Sequence, residues 1–112
     1  MSEINMETMH PVMVRQLDCL ARRDITGLLE NYTPDAALVR LDGQAQGLPE
    51  VTEAFTAYLA LEPEVVELTG YAQTDDVIFY HARMKLGGQP EDSVGTLVLR
   101  DGKIWRQTAY FG

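Results

Sequence analysis

The chain has 112 residues, of which 46% are hydrophobic, and it carries a formal net charge of −8 at pH 7. This length suits one soluble domain with its own core, and no apolar run approaches the roughly 20 residues that a membrane span requires. The negative charge, with nine dispersed Lys and Arg residues, disfavours binding to nucleic acid. We therefore expect a single domain over residues 1–112 with neither a nucleic-acid nor a membrane partner.

The beginning of the chain does not resemble a secretory signal, because it is acidic and lacks an apolar segment. We expect a cytoplasmic protein in which residues 1–9 are flexible. The single Cys19 cannot form an intramolecular disulfide, and we interpret it as a buried thiol. The two histidines, His10 and His81, form no cluster in the sequence, so neither a metal site nor a cofactor is expected.

Residues 10–33 carry apolar side chains at helical spacing, with an interruption near Arg22-Arg23-Asp24. This pattern predicts two helices with a tight joint between them. Asp24 or Thr26 is a suitable cap for the second helix, since both side chains accept hydrogen bonds from backbone N–H groups.

A short strand over residues 37–41 is predicted next, ending at the turn Asp42-Gly43. A third helix follows over residues 51–61. Pro49 is tolerated in its first turn, and Pro63 lies beyond its end.

The rest of the chain alternates with period two and predicts an antiparallel meander. Gly87-Gly88 and Asp101-Gly102 are hairpin signals between its strands. The four predicted strands are residues 65–72, 77–86, 93–100 and 103–111. The order of elements indicates an α+β fold in which about three N-terminal helices cover one curved antiparallel sheet. Partial covering of the concave face leaves a central pocket.

The last hairpin gives a hypothesis for the lining of this pocket. If Arg100 pairs with Lys103, strict alternation places Thr96 on one face with Trp105, Gln107 and Phe111. We interpret that face as the pocket lining, although Trp105 as a plain core residue is an equal alternative. The other face is also apolar, which predicts a homodimer formed through the outer side of the sheet.

Several stretches match the motifs of a known family in order and spacing. They are Asp24-Ile25 through Tyr32, Pro34-Asp35-Ala36, Leu38 to Leu41, Gly47, Gly88-Gln89-Pro90, and the closing hairpin from Asp101-Gly102 to Tyr110-Phe111. With these residues, nearly the whole chain resembles the ketosteroid isomerases and, more broadly, the nuclear transport factor two-like superfamily with its SnoaL-like polyketide cyclase branch. The resemblance implies the cone-shaped, cystatin-like α+β fold.

The resemblance also implies positions for catalytic groups. Ketosteroid isomerases use an aspartate base with a tyrosine and a protonated aspartic acid as oxyanion donors. By matched spacing, this chain has Arg40 at the position of the base, Gln16 at that of the tyrosine and Thr96 at that of the acid. Arginine stays protonated and cannot accept the proton, so classical ketosteroid isomerisation is not expected.

Our first functional hypothesis is a pocket that binds an apolar small molecule bearing one anionic or carbonyl group, oriented by Arg40 and hydrogen-bonded by Gln107. The alternatives for Arg40 are a surface residue, or a residue paired with Asp42 or Glu30. The predicted ligand-binding residues are Gln16, Leu38, Arg40, Tyr80, Met84, Thr96, Trp105, Gln107 and Phe111.

Two other functions stay open. An isomerase or cyclase acting on a polyketide- or steroid-like carbonyl compound would use Tyr32 or Tyr58 to move a proton, with Asp18 or Asp42 as the base. An interaction module would dock a protein on the outer face of the sheet, and a filled cavity would favour it. His81 is expected on that outer face.

Overall fold

The computed structural model describes residues 7–111, which form three helices and six strands. The elements are α1 (Pro11–Arg22), α2 (Ile25–Glu30), β1 (Tyr32–Arg40), β2 (Gly43–Gln46), α3 (Leu48–Ala60), β3 (Pro63–Gln73), β4 (Val77–Leu86), β5 (Gln89–Arg100) and β6 (Lys103–Phe111). This confirms the predicted α+β class, with helices concentrated in the first half of the chain and a meander in the second.

All six strands form one curved sheet in the order β2-β1-β6-β5-β4-β3. Neighbouring strands are antiparallel except β1 and β6, which run parallel. The helices pack against one face of this sheet, α1 against β3 and α3 against β1 and β2. Register shifts in β1, β3 and β6 bend the sheet around the helices.

The tight joint between α1 and α2 is confirmed. Arg23 adopts the left-handed conformation that ends α1, with a φ of 52°. Asp24 then begins α2 as its N-cap, because its Oδ1 accepts a hydrogen bond of 3.0 Å from the backbone N–H of Gly27.

The strand β2 was not predicted. Its residues, Gly43 to Gln46, include no β-branched or aromatic side chain, so local propensity does not mark them as a strand. They pair with β1 because the two-residue turn at Leu41 and Asp42 folds them back, with Arg40 opposite Gly43. Strand β1 itself starts at Tyr32, earlier than expected, and a bulge between Tyr32 and Ala37 accommodates Pro34.

A bulge in β6 overturns part of the predicted pocket lining. Arg100 pairs with Lys103 as expected, and Leu99 pairs with Ile104, but Val98 pairs with Arg106. Trp105 is therefore the extra residue, and the alternation of side chains reverses there.

Thr96 and Trp105 consequently lie on the outer face of the sheet, so their placement in the pocket was wrong. The indole of Trp105 stacks between two guanidinium groups, 4.1 Å from Arg100 and 3.9 Å from Arg106. Trp105 is not a core residue either, since its Nε1–H donates at 3.4 Å to the exposed carboxylate of Asp35.

The core lies between the sheet and the helices, and its fully buried side chains include Leu28, Ile78, Leu97 and Ile104. Cys19 is buried there too, as expected, and burial raises the pKa of its thiol. The expectation of a flexible segment falls partly on residues 1–6, which lie outside the described residues, while Met9 packs into the core. No helix among the described residues is long and apolar enough to cross a membrane.

Candidate ligand-binding cavity

A cavity of about 70 Å³ lies between the concave face of the sheet and helices α1 and α3. At 10–15 Å³ each, this space holds roughly five to seven water molecules. Most of the wall is apolar and comes from Met13, Leu17 and Leu20 of α1, from Ala54 and Phe55 of α3, and from the sheet. Such a space favours a small, largely apolar occupant over water.

Seven of the nine predicted ligand-binding residues share this wall. They are Gln16, Leu38, Arg40, Tyr80, Met84, Gln107 and Phe111. Thr96 and Trp105 lie on the opposite face of the sheet, as described above. These seven residues lie where a ligand could contact them, and their role in binding stays a prediction.

Several residues of the wall were not predicted, because strict alternation across the hairpin of β5 and β6 assigned the wrong face of β5 to the cavity. Once the extra residue Trp105 is counted, Leu97 faces Gln107 and Ser93 faces Phe111 on the cavity side. Tyr58 of α3 lines the cavity, in agreement with its expected place on a helix face that meets the sheet, whereas Phe55 was not predicted there. Tyr58 lies between Phe55 and Phe111, at ring-centroid distances of 6.3 and 5.8 Å.

A chain of buried polar groups runs behind the cavity. The side chain of Asn31 donates from Nδ2 to the carbonyl oxygen of Val12 and to Oε1 of Gln16, both at 3.0 Å. Gln16 donates from Nε2 to the hydroxyl of Tyr32 at 2.8 Å. The Tyr32 hydroxyl in turn donates to Oε1 of Gln107. Long-range packing creates these bonds, and no local pattern in the sequence indicates them.

Arg15, at the solvent side of this series of hydrogen bonds, determines the donor and the acceptor of each bond. Arg15 donates from Nε to Oδ1 of Asn31 at 3.0 Å, and a guanidinium group can only donate. Asn31 must therefore turn its amide nitrogen toward Gln16. Gln16 accepts this bond on its oxygen and donates from its nitrogen to Tyr32, whose hydroxyl donates its own proton onward. Gln107 receives the last proton on its oxygen, so its NH₂ group is left as a donor at the cavity.

Tyr80 lies beside this donor. Burial raises the pKa of its phenol, while hydrogen bonds from Ser93 and Gln107 act in the opposite direction. The ring lies directly over Gly95 on the neighbouring strand, where a Cβ atom would be 2.4 Å from the phenol oxygen. Tyr80 lines the cavity, so its phenol can hydrogen-bond with an occupant.

The other two tyrosines near the cavity are also strongly desolvated. Burial raises the pKa of Tyr32 well above its ordinary value, and it raises the pKa of Tyr58 as well. Tyr32 is the first residue of β1 and not a helical residue, contrary to our expectation, while Tyr58 lies on α3 and contacts the sulfur of Met84 at 3.7 Å. Both phenols stay protonated near neutral pH and act as neutral hydrogen-bonding groups.

Arg40 lies where the cavity meets a second, outer cleft, and together with Ala109 and Phe111 it lines both. Its side chain is 32% exposed, and its Nε lies 3.8 Å from Oδ1 of Asp42. That Nε is nevertheless buried and forms no hydrogen bond with any described residue. Of the two predicted alternatives, the structure supports proximity to Asp42 and not to Glu30.

The described lining of the cavity contains no carboxylate and no imidazole. The two aspartates considered as a base lie elsewhere: the side chain of Asp18 is 60% exposed and pairs with Arg22, and that of Asp42 is 82% exposed. His81 lies on the outer side of the sheet, as expected, with its Nδ1 2.6 Å from the hydroxyl of Thr69. Within residues 7–111 no three potential metal ligands of the His, Cys, Asp or Glu type come together.

The sequence matches the SnoaL-like domain family over residues 13–107. A search of curated proteins found no significant match. Among solved structures, a proposed polyketide cyclase from Sinorhizobium meliloti is 18% identical, with a TM-score of 0.82 over 95% of this chain and 99% of that one. A proposed ketosteroid isomerase from Kribbella flavida is 14% identical, with a TM-score of 0.81 over 92% of this chain and 76% of that one.

A third similar structure is an NTF2-like protein of unknown function from Cytophaga hutchinsonii. It is 11% identical, with a TM-score of 0.78 over 99% of this chain and 93% of that one. At these identities the structures agree with this chain in fold alone. The family match, in contrast, spans most of the sequence, and the chain therefore belongs to the SnoaL-like domain family.

Proposed function

We propose that this protein binds a small, largely apolar molecule in the cavity and holds an acceptor oxygen of that molecule against Tyr80 and Gln107. The observation that carries the proposal is the composition of the described wall, which is largely apolar but includes the hydrogen-bonding side chains of Tyr80 and Gln107 and the guanidinium group of Arg40. Hydrogen-bonding groups in an apolar wall favour an occupant that offers an acceptor over a pure hydrocarbon.

The size of the cavity limits the occupant. A volume of about 70 Å³ leaves room for several water molecules and therefore for a short ligand. A longer ligand would have to extend past Arg40 into the outer cleft, which Leu41 and Tyr110 line on its far side.

A second candidate is an isomerase or cyclase acting on a carbonyl compound. The same donors, Tyr80 and Gln107, are suited to stabilise the oxygen of an enolate. This reaction also needs a proton acceptor, and the described wall offers neither a carboxylate nor a histidine. We therefore rank binding above catalysis. An interaction module ranks third, because the cavity is not filled by side chains.

We also propose a homodimer formed through the outer face of the sheet. Val39, Phe79 and Tyr110 expose about half of their surfaces there. Phe79 and Val39 lie in one row across the strands, joined by the register through Thr96 and Thr108. Light scattering tests this assembly: the wild type is expected at twice the mass of the chain, Phe79→Asp at the monomer mass, and a monomeric wild type would contradict it.

The binding proposal is tested by thermal shift with small ketones, esters and amides. A ligand at 100 times its Kd stabilises the fold by about 2.7 kcal/mol. Ala54→Leu fills the cavity and is expected to abolish the shift. Ala57→Leu makes the same change at an exposed position of the same helix and should preserve it. The proposal fails if no compound in the panel shifts the wild type, or if both variants keep the shift.

A further inference from the structure

The charge of the cavity is opposite to that of the whole protein. The chain carries a net charge of −8, yet the only charged side chain in the described cavity wall is the guanidinium group of Arg40. The outer cleft adds one acid, Asp42, whose side chain is 82% exposed. A positive group at the mouth of an apolar cavity attracts an anion there, even though the protein as a whole repels anions.

The buried Nε of Arg40 also lacks a hydrogen-bond partner within the part of the chain that the structure describes. Buried polar groups are nearly always hydrogen-bonded, and Nε of Arg40 is the one buried side-chain nitrogen or oxygen among the described residues without a bond. The 3.8 Å separation from Asp42 is too long for a hydrogen bond, and an ion pair this exposed adds little stability. The exposed part of the Arg40 side chain is therefore available to a planar carboxylate, whose geometry matches the fork of guanidinium donors.

The strand register relates Arg40 to the two proposed donors: Tyr80 lies in the same cross-strand row as Arg40 and Ala109, and Gln107 lies in the next cavity-facing row. Leu38 pairs with Gln107 and Arg40 pairs with Ala109, so Arg40 and Gln107 are two residues apart along the strand direction. At about 3.3 Å per residue this separation is roughly 7 Å. A short molecule can therefore reach Arg40 with one end and Gln107 with the other.

We infer that the ligand is a short keto acid or a similar apolar monocarboxylate, with its carboxylate on Arg40 at the cavity mouth and its acceptor oxygen at Gln107 and Tyr80. This inference rests on the proposed binding function of the same cavity. The apolar middle of the molecule would lie against Leu38, Ala109 and Phe111. Since the site is partly exposed at Arg40, added salt weakens the binding of the anion but not that of a neutral analogue.

The test compares levulinate with its neutral ester, methyl levulinate, by isothermal titration calorimetry. Both carry the ketone and they differ in charge. The wild type is expected to bind levulinate about tenfold to a hundredfold more tightly, as for a hydrogen bond to a charged group. In Arg40→Gln the preference for the acid over the ester is lost. Arg83→Gln, an equal charge change on the outer face, keeps the preference.

The possible failures are distinguishable. Equal affinity for acid and ester in the wild type, or a preference that persists in Arg40→Gln, overturns the inference and leaves the binding function intact. If neither compound binds, both the inference and the proposed function fail for this ligand class. If circular dichroism shows that Arg40→Gln does not fold, Asp42→Asn replaces it as the test. Removing the competing carboxylate should lower the Kd of levulinate severalfold and leave the Kd of the ester unchanged. An unchanged Kd for levulinate would overturn the inference.

Discussion

Replacing Gly95 by alanine tests whether Tyr80 is held where the site requires it. A Cβ atom at this position would lie 2.4, 2.6 and 2.7 Å from the hydroxyl oxygen, Cζ and Cε2 of Tyr80. All three distances fall about 1 Å short of ordinary contact, and three atoms of one rigid ring cannot relax independently. The ring must therefore rotate or shift away from Ser93 and Gln107.

The expected cost follows from these displacements. A side chain forced about 30° off its rotamer costs roughly 0.5–1.5 kcal/mol, and leaving buried partners without their phenol costs about 1–3 kcal/mol. Alanine also lowers the conformational entropy of the unfolded chain, which offsets about 0.4–1 kcal/mol of this cost. We expect Gly95→Ala to lower the free energy of unfolding by about 1–3 kcal/mol, the usual range for overpacking.

Urea unfolding followed by circular dichroism measures this loss. Gly70→Ala is a matched control on a strand, because its Cβ would meet Cβ of His81 at an ordinary 3.5 Å, and it should be neutral or slightly stabilising. In a Tyr80→Val background the ring is absent, so Gly95→Ala should cost nearly nothing. The explanation is refuted if Gly95→Ala matches Gly70→Ala, or if its cost is the same with and without the ring.

Three further predictions concern the buried phenols and the helix joint. Tyr32→Phe removes a hydroxyl that bonds two buried amides, so it should cost about 1–3 kcal/mol in urea unfolding. Because burial raises the pKa of the cavity phenols, the native state keeps protons that the unfolded chain releases. Stability is then full below pH ~10 and falls above it by about 1.4 kcal/mol per pH unit for each phenol, and Tyr58→Phe should lessen that slope; an unchanged slope would contradict this. Asp24→Ala should cost about 1 kcal/mol through loss of the cap on Gly27, whereas Asp24→Asn should cost little.

Local signals in the sequence predicted the elements well. The break at Arg22-Arg23-Asp24, the proline near the start of α3 and the Asp101-Gly102 turn each act within a few residues, and the structure confirms all three. Strand β2 lacked such a signal, since it forms only because a turn folds four weak residues against β1.

The cavity lining was predictable only as far as the alternation of the strands held. Side chains alternate with period two, so the single extra residue at Trp105 exchanged the faces of β6 beyond it. Gln107 and Phe111 were assigned to the cavity, but by the same alternation Thr96 was wrongly included and Ser93 was missed. A bulge depends on the bend of the whole sheet, which no short stretch of sequence encodes.

The polar chain behind the cavity could not be predicted at all. Its bonds join residues far apart in sequence, such as Tyr32 and Gln107. Each of these side chains alone is compatible with a surface position. Their shared burial, which fixes the donor character of the site, follows from the packing of α1 and β1 against the sheet.

Methionine-methyl NMR gives the most direct test of ligand binding in this cavity. Met13 and Met84 line the cavity, while Met9 is buried in the core away from its wall, so one protein carries both the probes and the internal control. On titration with levulinate, the methyl signals of Met13 and Met84 should shift together and saturably, and that of Met9 should not move. Unmoved signals at Met13 and Met84, or equal shifts at all three, would contradict binding in the cavity.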